Sequence, residues 1–309
     1  MPLQPGQPTF DQLKVFLTVV DVGSFAGAAR VLGRATSVVS YTVANLENQL
    51  GLPLFDRNAT RKPVLTEAGR AVAVEARTIT THVDGLRAKA AALLQGLEGE
   101  LNLAIDVMVP SARVVDALKA FAATFPTVTL NLRIEALGSI AHLVLDGQAN
   151  IGISGPLPTS AALRRLERIT VGAVELVAVA APGHPLTAPD ISAGAVREHV
   201  QLILTDRSHL TEGFEYAVMS PHVWRLADLG AKHMLLREGI GWGNMPEPMV
   251  RDDLAAGRLV RLDLPASTSA RCQFDAIYRT DTPPGPAAAW LIERFRAQMT
   301  GICSEEDQD

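Results

Sequence analysis

The sequence predicts an α/β protein in two parts: an all-α-type winged helix-turn-helix at the N-terminus and, beyond one long helix, two α/β lobes. Three observations carry this. Residues 10–51 hold three helical apolar patterns separated by tight turns, residues 66–95 hold an unbroken heptad spacing, and from Glu100 onward strand-like and helix-like segments alternate. A chain of 309 residues exceeds the roughly 100–200 residues of one domain, so more than one core is expected.

Leu13, Phe16, Leu17 and Val20 form the apolar face of the first helix, which Gly23 ends. Ser24 is placed as the N-cap of a short second helix bearing Phe25, Ala28, Ala29 and Leu32, and Gly33 fits just past its C-terminus. The next three residues, "RAT", suffice only for a tight turn into a third helix, where Val39, Val43, Leu46 and Leu50 make a narrow buried stripe. Two short helices so joined, with small alanines for close packing, have helix-turn-helix geometry. Opposite the stripe, Ser37, Tyr41 and Ala44, flanked by Ser40 and Asn45, avoid the Glu/Lys mixture of an ordinary solvated face. Glu47 is the one acid of this helix and lies toward its buried side. After Gly51, apolar runs 52–55 and 64–65 flank a polar turn containing Arg57, Arg61 and Lys62, which reads as a β-hairpin wing with a basic tip.

Thr66 can cap the long helix and Glu67 sits favourably near the positive end of its dipole. Val72, Ile79, Leu86 and Leu93 recur every seven residues, with Ala76, Val83 and Ala90 four residues after the first three. Over about four heptads this spacing is a coiled-coil seam. Two copies would pair along Val72, Ile79, Val83, Leu86 and Leu93; the other reading is a helix buried against its own domain. The alternation that follows, from "LNLAIDVMVP" to "PAAAWLIERFRAQM", is that of βα units on a mostly parallel sheet. The expected domains are residues 1–65, a linker helix 66–95 and a two-lobed unit 96–309, with lobe I about 96–164 and 266–300 and lobe II about 165–265. In such folds ligands bind beyond the carboxyl ends of the strands.

Composition narrows the function. The net charge is −5, yet residues 1–95 carry +3 and the remainder −8, an asymmetry that points the N-terminal part toward an anionic partner. No run of about 18 apolar residues could span a bilayer and the N-terminus lacks the regions of a signal peptide, so a cytoplasmic protein without a membrane partner is expected. Cys272 and Cys303 form no CxxC or Cys/His cluster, so neither a disulfide nor a metal site is indicated. There is no HExxH, GxSxG or phosphate-loop pattern, and "GIGWGN" lacks the third glycine of a dinucleotide fingerprint. No catalytic residue and no cofactor are assigned, and an enzyme is not expected.

The segments "GSFAGAARVLG", "VSYTVANLENQLGLPLFDR" and "LTEAG", at their separations within residues 10–70, resemble the winged helix-turn-helix of LysR-type transcriptional regulators. "REGIGWGNMPEPMV" is similar to that family's Gly-rich strand-Pro-helix stretch, so the resemblance covers essentially the whole chain. It implies a DNA-binding winged helix, a linker helix that dimerises, and an effector domain resembling a periplasmic binding protein. It also implies dimers that usually pair into tetramers, double-stranded promoter DNA as partner, and control by a small-molecule effector between the lobes. Thr36, Ser37, Ser40, Tyr41 and Asn45 then face the major groove, with Arg57, Arg61 and Lys62 on phosphates. The family commonly has Gln-Pro at Thr36-Ser37 and often Arg at Tyr41, whereas Ser40 keeps the family residue; losing the Arg removes a bidentate guanine reader. Strand-end loops nominate Ser111, Ser154, Thr205, Arg207, Trp242 and Asn244 as effector-binding, Trp242 and Thr205 having core and turn roles as alternatives. A ligand-insensitive DNA-binding protein, or an enzyme built on the α/β part, are the competing readings.

Overall fold

Thr9 opens the first helix, α1 (Phe10–Val22), through a capping box: its hydroxyl accepts from the Gln12 N–H, and the Gln12 side chain accepts from the Thr9 N–H. The computed structural model describes residues 7–56, 62–188, 192, 194–206, 208–211, 214, 216–264 and 270–300. Ser24 caps α2 (Phe25–Leu32) by accepting from the Gly27 N–H, and α3 (Thr36–Leu50) follows within a few residues, Gly23 and Gly33 taking the left-handed conformation past the two preceding helices. Val15, Phe16, Val19, Ala28, Val39 and Leu46 are fully buried between the three helices. Phe55, arriving from the wing, meets Phe16 and Phe25 edge-on at centroid distances of 5.6 and 5.4 Å.

Among the described residues of the wing, an antiparallel bridge joins Phe55 to Leu65, with Asp56 N–H to Val64 O (2.8 Å) and Thr66 N–H to Leu54 O (3.0 Å) on either side. The tip, with Arg57 and Arg61, lies outside the described residues. Thr66 then caps α4 (Glu67–Leu94), its hydroxyl accepting from Gly69 N–H at 2.8 Å and donating to Pro53 O at 2.7 Å. At 28 residues α4 is about 42 Å long. Its first turns bury Gly69, Ala73 and Ala76, and Val72 packs on the same core, because three short helices alone cannot close it. The heptad seam is therefore divided: Val72 serves its own domain, while Ile79, Leu86 and Leu93 are exposed and Val83 is half-buried.

The chain divides into two compact units, Met1–Ala91 and Ala92–Asp309, so α4 belongs almost wholly to the first. The second unit runs β1 (Glu100–Asp106), α5 (Ser111–Thr124), β2 (Thr129–Glu135), α6 (Gly138–Leu145), β3 (Ile151–Ser154), β4 (Leu166–Ala180), β5 (Gln201–Leu204), β6 (Val223–Leu226), α7 (Leu229–Arg237), β7 (Trp242–Pro246), α8 (Glu247–Ala255), β8 (Val260–Arg261), β9 (Ala270–Arg279) and α9 (Pro286–Thr300). Its strands form one mixed sheet in the order β2-β1-β3-β9-β4-β7-β5-β6, with β8 alongside β4. β1 is parallel to β2 and β3, and β5 to β6 and β7, while β9 and β4 are antiparallel to each other and to their outer neighbours. β4 and β9 thus pass through both lobes: residues 275–277 of β9 pair with β3, whereas residues 176–180 of β4 pair with β7. Leu101, Leu103, Ile105, Phe121, Phe274 and Phe295 fill the main core, and the Glu98 carboxylate fastens α9 to the start of the unit by accepting from the Ala287 and Ala288 N–H groups (2.9 and 3.1 Å).

Candidate nucleic-acid interface and ligand cavity

Thr36, Ser37, Ser40 and Tyr41 are exposed on α3, Tyr41 by 73%, and Asn45 is half-buried. Ser37, Tyr41 and Ala44 stand at i, i+4 and i+7 on one open face while Val39, Val43 and Leu46 are buried opposite. The helix starts at Ala35 with no side-chain capping bond, so the hydroxyls of Thr36 and Ser37 are not spent on the cap. Two polar contacts fix how this face is presented. Arg34, in the turn before α3, grips Asp11 of α1 through both carboxylate oxygens (2.7 and 2.8 Å), and its guanidinium holds the Asp11 carboxyl below the usual range. Glu47 reaches from α3 to the wing, one oxygen accepting from Leu54 N–H (2.7 Å) and Phe55 N–H (3.1 Å). Its acid charge is thereby turned away from the open face. Glu47→Ala, which leaves two backbone donors without their acceptor, should lower stability by about 1–3 kcal/mol, with Glu47→Gln milder; a urea melt in which the alanine variant matches wild type would remove this role. Lys62 is exposed at the base of the wing.

In the second unit a cavity of about 250 Å³ lies where the loops following β1, β2 and β3 meet the sheet formed by β4, β5, β7 and β9. Met108, Leu137 and Pro156 come from the loops, residues 201–204 from the whole of β5, and Leu229 and Lys232 from α7. Asp106, at the end of β1, is buried and collects the N–H groups of Met108, Leu137 and Gly155 (2.9, 3.2 and 3.3 Å). Burial pushes its carboxyl up to about 6 against the pull of those three bonds. Across the cavity, the Tyr216 hydroxyl donates to Pro156 O at 3.0 Å, and Gln201 holds the 217–220 loop by donating to Ala217 O and accepting from Met219 and Ser220 N–H. Leu137 (φ 51°) and Ala217 (φ 56°), the two non-glycine residues at positive φ among those described, both line this cavity. Such strain, about 1–3 kcal/mol per residue, collects where a ligand site dictates the backbone. Cys272 is also in the wall, its thiol pushed up to about 12 by burial and by Asp106, which keeps it protonated and unreactive at neutral pH.

Of the residues nominated from the strand ends, Asn244 lines this cavity. Trp242 does not: it is fully buried among Ala178, Ala180, Leu186, Val196 and Leu262, its indole N–H without an acceptor among the described residues. Its role here is packing. Ser154 is buried and donates to Gly155 O at 3.1 Å, and Ser111 is exposed at the first position of α5. Thr205 lines a separate, acidic cleft of about 440 Å³ with Glu135, Asp206 and Asp228, and Arg207 lies outside the described residues. Among the described residues no cluster of His, Cys, Asp and Glu is placed to hold a metal, and no helix is long and apolar enough to cross a membrane.

A helix-turn-helix with an open uncharged face and, in the same chain, a two-lobed α/β unit around a cavity define a ligand-responsive DNA-binding protein. Comparison with known proteins agrees. Residues 10–70 match the profile of the bacterial regulatory helix-turn-helix protein, lysR family, and residues 94–300 match the LysR substrate binding domain. The HTH-type transcriptional regulator YhaJ of Escherichia coli is 30% identical over 301 residues, covering 95% of this chain and 97% of that one. The HTH-type transcriptional regulator AceR of Acinetobacter baumannii is 25% identical over 290 residues, covering 93% and 96%. A solved OxyR variant of Corynebacterium glutamicum shares the fold with a TM-score of 0.57 at 19% identity, covering 97% of this chain and 95% of that one. The chain belongs to the LysR family of bacterial transcriptional regulators, DNA-binding proteins with an effector-binding domain.

Proposed function

We propose that α3 reads a promoter sequence in the major groove through Thr36, Ser37, Ser40, Tyr41 and Asn45, with Lys62 and, from the sequence, Arg57 and Arg61 on the flanking phosphates. The open, uncharged face of α3 carries this reading, because hydroxyl and amide groups can meet base edges where an acidic face would repel phosphate. Tyr41→Ala should alter sequence preference with little change in salt dependence. Lys62→Ala should weaken binding alike on all sequences and lower the salt slope by about one counterion. Fluorescence anisotropy across a salt series, on DNA upstream of the protein's own gene and on a scrambled duplex, measures both. Equal affinity for the two duplexes and for every other fragment of the genome would defeat a sequence-specific reading.

The regulator works as a dimer joined along α4, where Ile79, Leu86 and Leu93 stay open at intervals of seven. An apolar groove of about 750 Å³ in the first unit, lined in part by Phe10, Leu13, Val72, Val74, Ile79 and Val83, is continuous with that stripe and suits a second copy's helix. Two such dimers form the tetramer. The small-molecule effector occupies the cavity beside β5, and the strained Leu137 and Ala217 favour this site over the acidic cleft. Effector binding acts by favouring one arrangement of the lobes, to the extent of its differential affinity for the two. Because its target is bacterial promoter DNA, the protein acts in the cytoplasm.

A further inference from the structure

We propose that the cavity beside β5 takes a small organic anion, a monocarboxylate with an apolar body, whose head pairs with the Lys232 ammonium while the body packs on Met108, Leu137, Leu176, Leu202 and Leu204. This deepens the effector reading above and rests on it. Fifteen described residues line the cavity; the charged ones among them are Lys232 and Arg271, the latter already engaged in an interaction of its own. The neighbouring cleft has the opposite character, with Glu135, Asp206 and Asp228 in its wall. Among the described lining residues an anion thus meets cations in the first and carboxylates in the second.

Lys232 is the stronger part of the argument. It stands on α7, is 4% exposed, and lies down on the sheet. The backbone beneath is made for it: a Cβ on Gly243 would stand 3.1 Å from the lysine Cε and 2.5 Å from Leu202 O, so a larger residue would lift the chain off the strand. The ammonium donates to Asn244 O at 2.7 Å and has no ion pair among the described residues. An ammonium carries three donors, and one neutral carbonyl satisfies one of them. Burial alone pushes the group down to about 8, so it is still charged at pH 7. A buried charge without a counter-charge is unfavourable by itself and becomes favourable once an anion shares its enclosure. The volume of about 250 Å³ sets the size of that anion at a small metabolite.

The test follows thermal unfolding of the full-length protein at pH 7 with matched pairs of probes: hexanoate, benzoate and phenylacetate against hexanamide, benzamide and phenylacetamide. At least one acid should raise the wild-type midpoint by about 2 °C or more where its amide does not. Lys232→Met, which keeps length without charge, should lose that response and, without ligand, melt no lower than wild type; Lys232→Gln is the second variant. Equal shifts by acids and amides, or shifts by amides alone, would overturn the anion and leave the cavity as the effector site. No shift by any probe would overturn both. Acid shifts that persist in the two variants, or variants that fail to fold, would overturn the role given to the ammonium.

Discussion

Gly69→Ala should destabilise the first unit by roughly 3 kcal/mol and abolish DNA binding at temperatures where wild type is folded. The added Cβ would stand 2.1 Å from Leu54 O, and 3.0 Å from both Leu54 C and Leu65 Cδ2. Leu54 O cannot step aside, because it already accepts from Thr66 N–H at 3.0 Å and so holds the wing closed. The helix cannot retreat either, since the Thr66 hydroxyl ties Gly69 N–H to Pro53 O. Wing and helix must part, and the core on which Phe55 and Ala73 pack opens with them. Gly85, in the same helix with nothing within 4 Å of its would-be Cβ, supplies the control. Gly85→Ala should stabilise by about 0.5–1 kcal/mol, from helix propensity alone. Urea melts followed by helicity read both changes, and a Gly69→Ala protein as stable as wild type would show that the junction gives way more easily than its bonds imply.

The double variant Ile79→Asp, Leu86→Asp should run as a monomer in sedimentation and bind operator DNA about 10²–10⁴-fold more weakly, the factor by which joining two half-site contacts multiplies affinity. Leu86 is 67% and Ile79 45% exposed in the single chain, so aspartates there disturb little of its own packing; they place like charges across the seam of a pair. Val72→Asp would do something else, striking the core of the first unit and reporting stability instead of assembly. A double variant that remains fully dimeric would defeat the assignment of the interface to α4.

How far the sequence could be read depends on how local each signal is. Ser24 and Gly33 identified themselves as caps because capping involves neighbouring residues only, and the stripe of Val39, Val43 and Leu46 needed no partner outside its helix. Glu47 showed its placement toward the buried side but not its bonds, which reach seven and eight residues along the chain. In the second unit the alternation of elements was plain, yet the longest strand, β4, is interrupted by a register shift between Thr170 and Gly172 that breaks the period of two on which strand recognition depends. For Trp242 the letters leave core and cavity both open, because a strand covered on both faces gives no pattern to say which side chain meets a cavity. Lys232 reads as a solvated helix position, and nothing in the letters for Leu137 and Ala217 announces a positive φ. The cavity is assembled from short pieces of many elements, and its members become neighbours only in the folded chain.

β4 and β9 have a mechanical consequence. Ten residue pairs join them, from Leu166 opposite Arg279 to Leu176 opposite Ala270, and each lobe is attached to a different stretch of that ribbon. Pulling the lobes apart would break its ladder, whereas twisting the ribbon leaves the ladder intact and needs only small backbone rotations, easiest at the irregular step beside Gly172. The unit is built as a torsion bar with a soft point, not as a pair of jaws on a free hinge. What it can transmit from an occupied cavity is a rotation about its own length, delivered stiffly.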